Sequence, residues 1–145
     1  MSLAALLSQN GYVQIPLSRS GVGHFHTTGA LNDRQVEVLI DTGAASTVFS
    51  FELARQMNLP MTKLSMFGGG AGAAKLEVHR IHEARFLIGG VTPKVRGLLT
   101  IDMSHVNQAL AQKGSSPVDA ILGVDVFEAH EAVIDYGSSS LYLKL

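Results

Sequence analysis

One carboxylate in this chain stands where burial without a purpose is costly. Val36, Val38, Leu39 and Ile40 form an apolar, β-rich run that delivers Asp41 into Thr42-Gly43. Small residues from Ala44 onward then lead to a helix expected to begin near Ser50. An acid at the end of an apolar strand is expensive unless its oxygens meet donors, and Val or Leu would serve packing better. Such an acid can act as a general base or general acid if its surroundings tune it. Asp-x-Gly turns are also common as plain structure, so the triplet does not stand alone as a signature.

The elements that must position Asp41 are legible on both sides of it. Met1 to Gln9 reads as a helical turn or loose terminus broken by Asn10-Gly11, and Met1-Ser2-Leu3 as an appended start. Tyr12 to Leu17 alternates as a half-buried strand, with Pro16 placing it at an edge. His24 to Leu31 is expected to be the next strand, turning at Asn32-Asp33-Arg34 into the strand that carries the acid. After the motif, Ser50 can cap a helix with Leu53, Ala54 and Met57 inward and Pro60 as its stop. Leu76 to Ile88 reads as returning strands turned by Gly89-Gly90, and Val91 to Ile101 as a further strand. Asp102 or Ser104 can cap a short helix with Val106 and Leu110 on one face, ended by Gly114. Ala132 to Leu143 reads as a terminal hairpin.

Two further stretches carry information. Met66 to Lys75 holds four glycines in ten residues between strand-like segments, which alone suits a hairpin tip. It lacks the Gly-Lys-Ser/Thr ending and the strand-to-helix switch of a phosphate loop. Ile121-Leu122-Gly123 is followed at once by Asp125-Val126-Phe127-Glu128, which has the spacing of a capping box and assigns Asp125 to capping.

Taken together, Ile40-Asp41-Thr42-Gly43-Ala44 followed by Ser46-Thr47-Val48, the glycine-rich hairpin and Ile121-Leu122-Gly123 resemble, in order, the signatures of the retropepsin-like (retroviral-type) aspartic proteases. The resemblance runs from about Gly29 to Leu143 and is closer to bacterial and cellular members than to viral ones. Viral relatives carry an Arg and an Asp where this chain has Val124 and Ala45. It implies a closed, mostly β acid-protease barrel of a single lobe with two or three short helices, over residues 1–145 as one domain. It implies Asp41 as the catalytic acid, Thr42 and Gly43 as loop support, and Ala44 and Ala45 in the substrate groove. Phe67, Gly68, Gly69, Gly70, Ala71 and Gly72 would form a flap closing over an extended polypeptide. Ile121, Leu122 and Gly123 would pack beside the active-site loop. With one usable acid per chain, it implies a homodimer in which two Asp41 carboxylates share a proton and activate a water.

Ile134-Asp135-Tyr136-Gly137 echoes the first motif, but Tyr136 replaces the small hydroxyl residue and the chain is too short for two lobes. Asp135 is therefore expected at the end of the terminal hairpin. His24 and His26 share a strand face without a third ligand, and His79 and His82 would face oppositely, so no metal and no cofactor is expected and none of the six histidines receives a function. His105 and His130 fall alone in helix-like segments. A net charge of −1 suggests no nucleic-acid partner, and the sequence contains no membrane-length apolar run and no cysteine, leaving the compartment undetermined. The competing readings are a catalytically silent dimerisation or peptide-binding module on the same fold, and an unrelated β-barrel with an accidental Asp-Thr-Gly.

Overall fold

The computed structural model describes residues 1–68 and 76–145, with the backbone alone for 66–68. Its order begins α1 (Leu3–Gln9), β1 (Tyr12–Pro16), β2 (Ser18–Arg19), β3 (Phe25–Leu31) and β4 (Arg34–Ile40). There follow β5 (Val48–Ser50), α2 (Phe51–Gln56), β6 (Met61–Gly68), β7 (Leu76–Ile81) and β8 (Phe86–Ile88). The chain continues through β9 (Leu98–Ile101), α3 (Ser104–Gln112), β10 (Ala120–Leu122), α4 (Val124–Ala129), β11 (Val133–Asp135) and β12 (Ser140–Lys144). Among the described residues none of these helices is long and apolar enough to cross a membrane.

Why the run before Asp41 is apolar on consecutive positions follows from the sheet order. The larger sheet runs β2-β3-β4-β10-β5-β9-β7-β6, with β8 attached to β3. β10 pairs parallel with β4, matching Ala120, Ile121 and Leu122 to Val38, Leu39 and Ile40, and antiparallel with β5. These central strands are covered on both faces, where a parallel pair is expected to read as a continuous apolar run. Val36, Val38, Ala120 and Leu122 face one buried cluster, with Phe49, Leu53, Ile88 and Val126. Leu39 and Ile121 face a second cluster with Val78, Ile101, Met103, Leu110 and Val118. α3 thus closes the second cluster through Leu110, with Val106 at its margin.

The ladder ends at β2 and β6, so the sheet is open where a closed barrel was expected. β2 has only two residues and turns away through Ser20, whose carbonyl accepts from Gly23 N–H. The chain termini do not rejoin that sheet: β1, β12 and β11 form a separate three-stranded one, with β1 and its Pro16 at the edge. Among the described residues four helices occur instead of two or three, the additional one being α1, which Ser2 caps by accepting from Ala5 N–H. Ser50 caps α2 as expected, accepting from Leu53 N–H. The strand expected over Val91 to Ile101 shrinks to β9, and residues 92–97 run outside the ladders. At α3 the cap position falls on Met103, while Asp102 accepts from the Ser104 N–H and hydroxyl. Those two bonds hold the Asp102 carboxyl below its ordinary range.

His130 acquires a part its sequence context did not suggest. It is buried at the end of α4, where Nε2 accepts from the Lys94 backbone N–H at 2.9 Å. The other ring nitrogen therefore carries the proton and donates to the Lys144 carbonyl at 2.8 Å. One imidazole ties segment 92–97 and β12 to the same helix end. His26, expected to be exposed or satisfied, instead has a buried Nε2 with no partner among the described residues. Burial, with His24 nearby, lowers its pKa. His130→Phe fills similar space without either bond, so its urea unfolding should lose about 1–3 kcal/mol for each group left unpaired. An unchanged midpoint would remove the latch role.

Candidate active site

Asp41 follows β4 directly and is half-buried. Its backbone N–H donates to the Leu122 carbonyl at 3.1 Å, extending the β4–β10 pairing by one residue. Its Oδ1 accepts from Gly43 N–H at 2.8 Å, and the Ala44 N–H returns to the Asp41 carbonyl at 3.2 Å. The carboxylate is thus oriented by its own turn, with Oδ2 left without a protein donor among the described residues. Thr42, Gly43 and Ala45 are exposed, and Ala44 is half-buried against the second cluster. An exposed face made of Asp41, Thr42 and Gly43 can accept a water, a substrate carbonyl or another protein surface.

The loop is held from below by the segment containing Ile121, Leu122 and Gly123. The Val124 N–H donates to the Ala44 carbonyl at 2.8 Å. Thr47, which is buried, accepts from Gly123 N–H at 3.0 Å through its hydroxyl oxygen. That hydroxyl donates to Asp125 Oδ1 at 2.7 Å, and the Thr47 N–H donates to the same oxygen at 3.0 Å. Gly123 permits this crossing, because a Cβ there would lie 2.6 Å from the Ala44 carbonyl oxygen. Asp125 is consequently a tether for Thr47 and not the cap of α4. The cap position is Gly123, whose extended backbone starts the helix two residues earlier than a capping box at Asp125 requires.

Thr47 and Asp119 were not singled out from the sequence. Asp119 accepts from Glu37 N–H at 2.8 Å and fixes the entry of β10 beside β4. A charged residue at the mouth of an apolar strand was the available signal. Asp135 lies where expected, in a turn accepting from Gly137 N–H and Ser138 hydroxyl, which lower its pKa. Its hairpin β11–β12 belongs to the other sheet, so Asp135 is not brought to Asp41 by any strand pairing. Phe67 and Gly68 end β6, paired with Glu77 and Leu76 of β7. The expected flap residues Gly69, Gly70, Ala71 and Gly72 lie outside the described residues.

Two substitutions test the tether. Thr47→Val keeps the shape but leaves Gly123 N–H unpaired, and should destabilise the fold by about 1–3 kcal/mol. Thr47→Ser retains the hydroxyl and should recover most of that loss in the same denaturant titration. Equal stability of all three proteins would contradict the role given to the hydroxyl.

Comparison with known proteins places this geometry. Residues 27–126 match the Aspartyl protease family, a span that holds both Asp41 and the Gly123–Asp125 crossing. The chain is 26% identical over 129 residues to DNA damage-inducible protein 1 of Cryptococcus neoformans, covering 87% of this chain and 26% of that protein. It therefore spans about a quarter of the length of the curated relatives it matches. Its fold is similar to the retroviral protease-like domain of Ddi1 from Leishmania major, with TM-score 0.54, 19% identity and 81% and 86% of the two chains covered. It is also similar to a retropepsin-like aspartic protease from Rickettsia conorii, with TM-score 0.56, 17% identity and 91% and 90% covered. The chain belongs to the aspartyl protease family and has a retropepsin-like fold.

Proposed function

We propose that this chain is an aspartic endopeptidase whose active site is completed by a second copy of itself. The observation that carries this reading is the isolation of Asp41. Its one oriented carboxylate sits on an exposed loop, while Asp125 is committed to Thr47 and Asp135 turns a hairpin of the other sheet. A two-fold axis through the Thr42-Gly43 face would set two Asp41 carboxylates beside one another, an isologous arrangement that each chain supplies identically.

Two such carboxyls cannot both ionise and share one proton. The ionised one takes a proton from water, whose oxygen attacks the peptide carbonyl carbon, while the protonated one donates to the carbonyl oxygen. Collapse of the resulting diol returns a proton to the amide nitrogen as the C–N bond breaks. Ala44 and Ala45, small and beside the acid, leave room for an extended polypeptide. Hairpin β6–β7 is assigned the covering role, giving main-chain donors to the substrate and excluding bulk water.

Cleavage of a diverse peptide library from acidic to neutral pH, with wild type beside Asp41→Asn, tests this directly. Wild type should cleave, and the variant should lose about 10²–10⁴-fold in rate. Equal cleavage by both proteins would exclude Asp41 as the catalytic acid. Sedimentation under assay conditions should show a dimer, and a fully active monomer would exclude the shared site.

A further inference from the structure

A cavity of about 780 Å³ opens beside the loop that carries Asp41. Ser46 and Thr47 of that loop line it, with Arg80 of β7, Lys94 and Arg96 of segment 92–97, and Asp125 of α4. Three cations thus face one acid, in a chain whose overall charge is −1. Among the described residues the ion pairs are Glu52–Arg55, Lys63–Glu77 and Glu131–Lys144, so none of the three cations is neutralised by a carboxylate. Asp125 already takes donors from Thr47 and Val126 on its Oδ1.

One of these cations is held in place, and the backbone of a second is fixed. The Arg80 guanidinium donates to the Arg96 carbonyl at 3.3 Å and lies against Gly97, where a Cβ would come within 3.0 Å of its Nε. The Lys94 backbone is fixed by the buried His130. A positioned guanidinium beside an ammonium and a second guanidinium is a carboxylate-binding arrangement, since the fork geometry of Arg matches two oxygens. The cavity also lies close to the acid along the chain. Ser46 is five positions beyond Asp41, so their Cα atoms are at most about 18 Å apart, which an extended peptide spans in about five residues.

We infer that this cavity is a specificity subsite that receives an Asp or Glu side chain of the polypeptide substrate, within about five residues of the bond cut. It rests on the protease reading above.

The test uses labelled peptide libraries on a common random background, with Glu or Gln fixed at one position. Each is measured for binding to Asp41→Asn by fluorescence anisotropy and for cleavage by wild type. Glu at one or two positions should raise affinity and kcat/KM by about three- to tenfold, with the advantage shrinking as salt rises. In K94E/R96E, whose changed residues are exposed, the preference should shift from Glu to Lys at those positions. Equal binding and cleavage of Glu and Gln libraries would overturn the subsite while leaving a cleaving enzyme intact. Acid-selective binding to Asp41→Asn with no cleavage by wild type would uphold the subsite and remove the protease reading.

Discussion

The crossing of the acid-bearing loop over Gly123 is the constraint on which the rest of this structure depends. A carboxylate at the end of a buried strand must leave the core along a defined path. Here the path is set by parallel pairing of β4 with β10, continued through Asp41 N–H to Leu122 and Val124 N–H to Ala44. Thr47 then closes the loop onto Gly123 and Asp125 with donors and acceptors that are mutually satisfied. Buried polar groups arranged this way fix one conformation, because any slip leaves several of them unpaired together. Both hydrophobic clusters meet at the same strands, so the core and the loop are set by one register.

Much of this was legible because the signals were local. The apolar run into Asp41 and the Ser50 cap follow from short-range chemistry, whereas the glycine after Ile121-Leu122 was read from the family resemblance. What was missed depends on partners distant in sequence. Thr47 and Asp125 are 78 positions apart, and nothing in Asp125-Val126-Phe127-Glu128 distinguishes a cap from a tether. His130 looked like an ordinary helix residue because its partners, Lys94 N–H and Lys144 carbonyl, are backbone groups that leave no trace in side-chain identity. The open sheet, too, turns on where β2 stops, which a two-residue strand conveys weakly.

Val124 and Ala45 carry no charge, so the loop bearing Asp41 is not tied to α4 by an ion pair at those positions. Thr47 and Asp125 join the loop that carries Asp41 to α4 through hydrogen bonds within one chain. Fixing the loop internally separates its rigidity from the contacts that would bring two copies together. In the proposed enzyme, each subunit would then present a finished half-site, and association would supply only the second acid and the second half of the groove. The cations of Arg80, Lys94 and Arg96 would be delivered with each half.

Whether two copies of Asp41 form one active site is measured most directly by subunit mixing. Wild type and Asp41→Asn are exchanged at varied ratio and fixed total concentration, and peptide cleavage is followed after equilibration. If a site needs an acid from each copy, activity should fall as the square of the wild-type fraction, to about one quarter in an equal mixture. A linear fall, to about one half, would show that each chain works alone and would contradict the shared site.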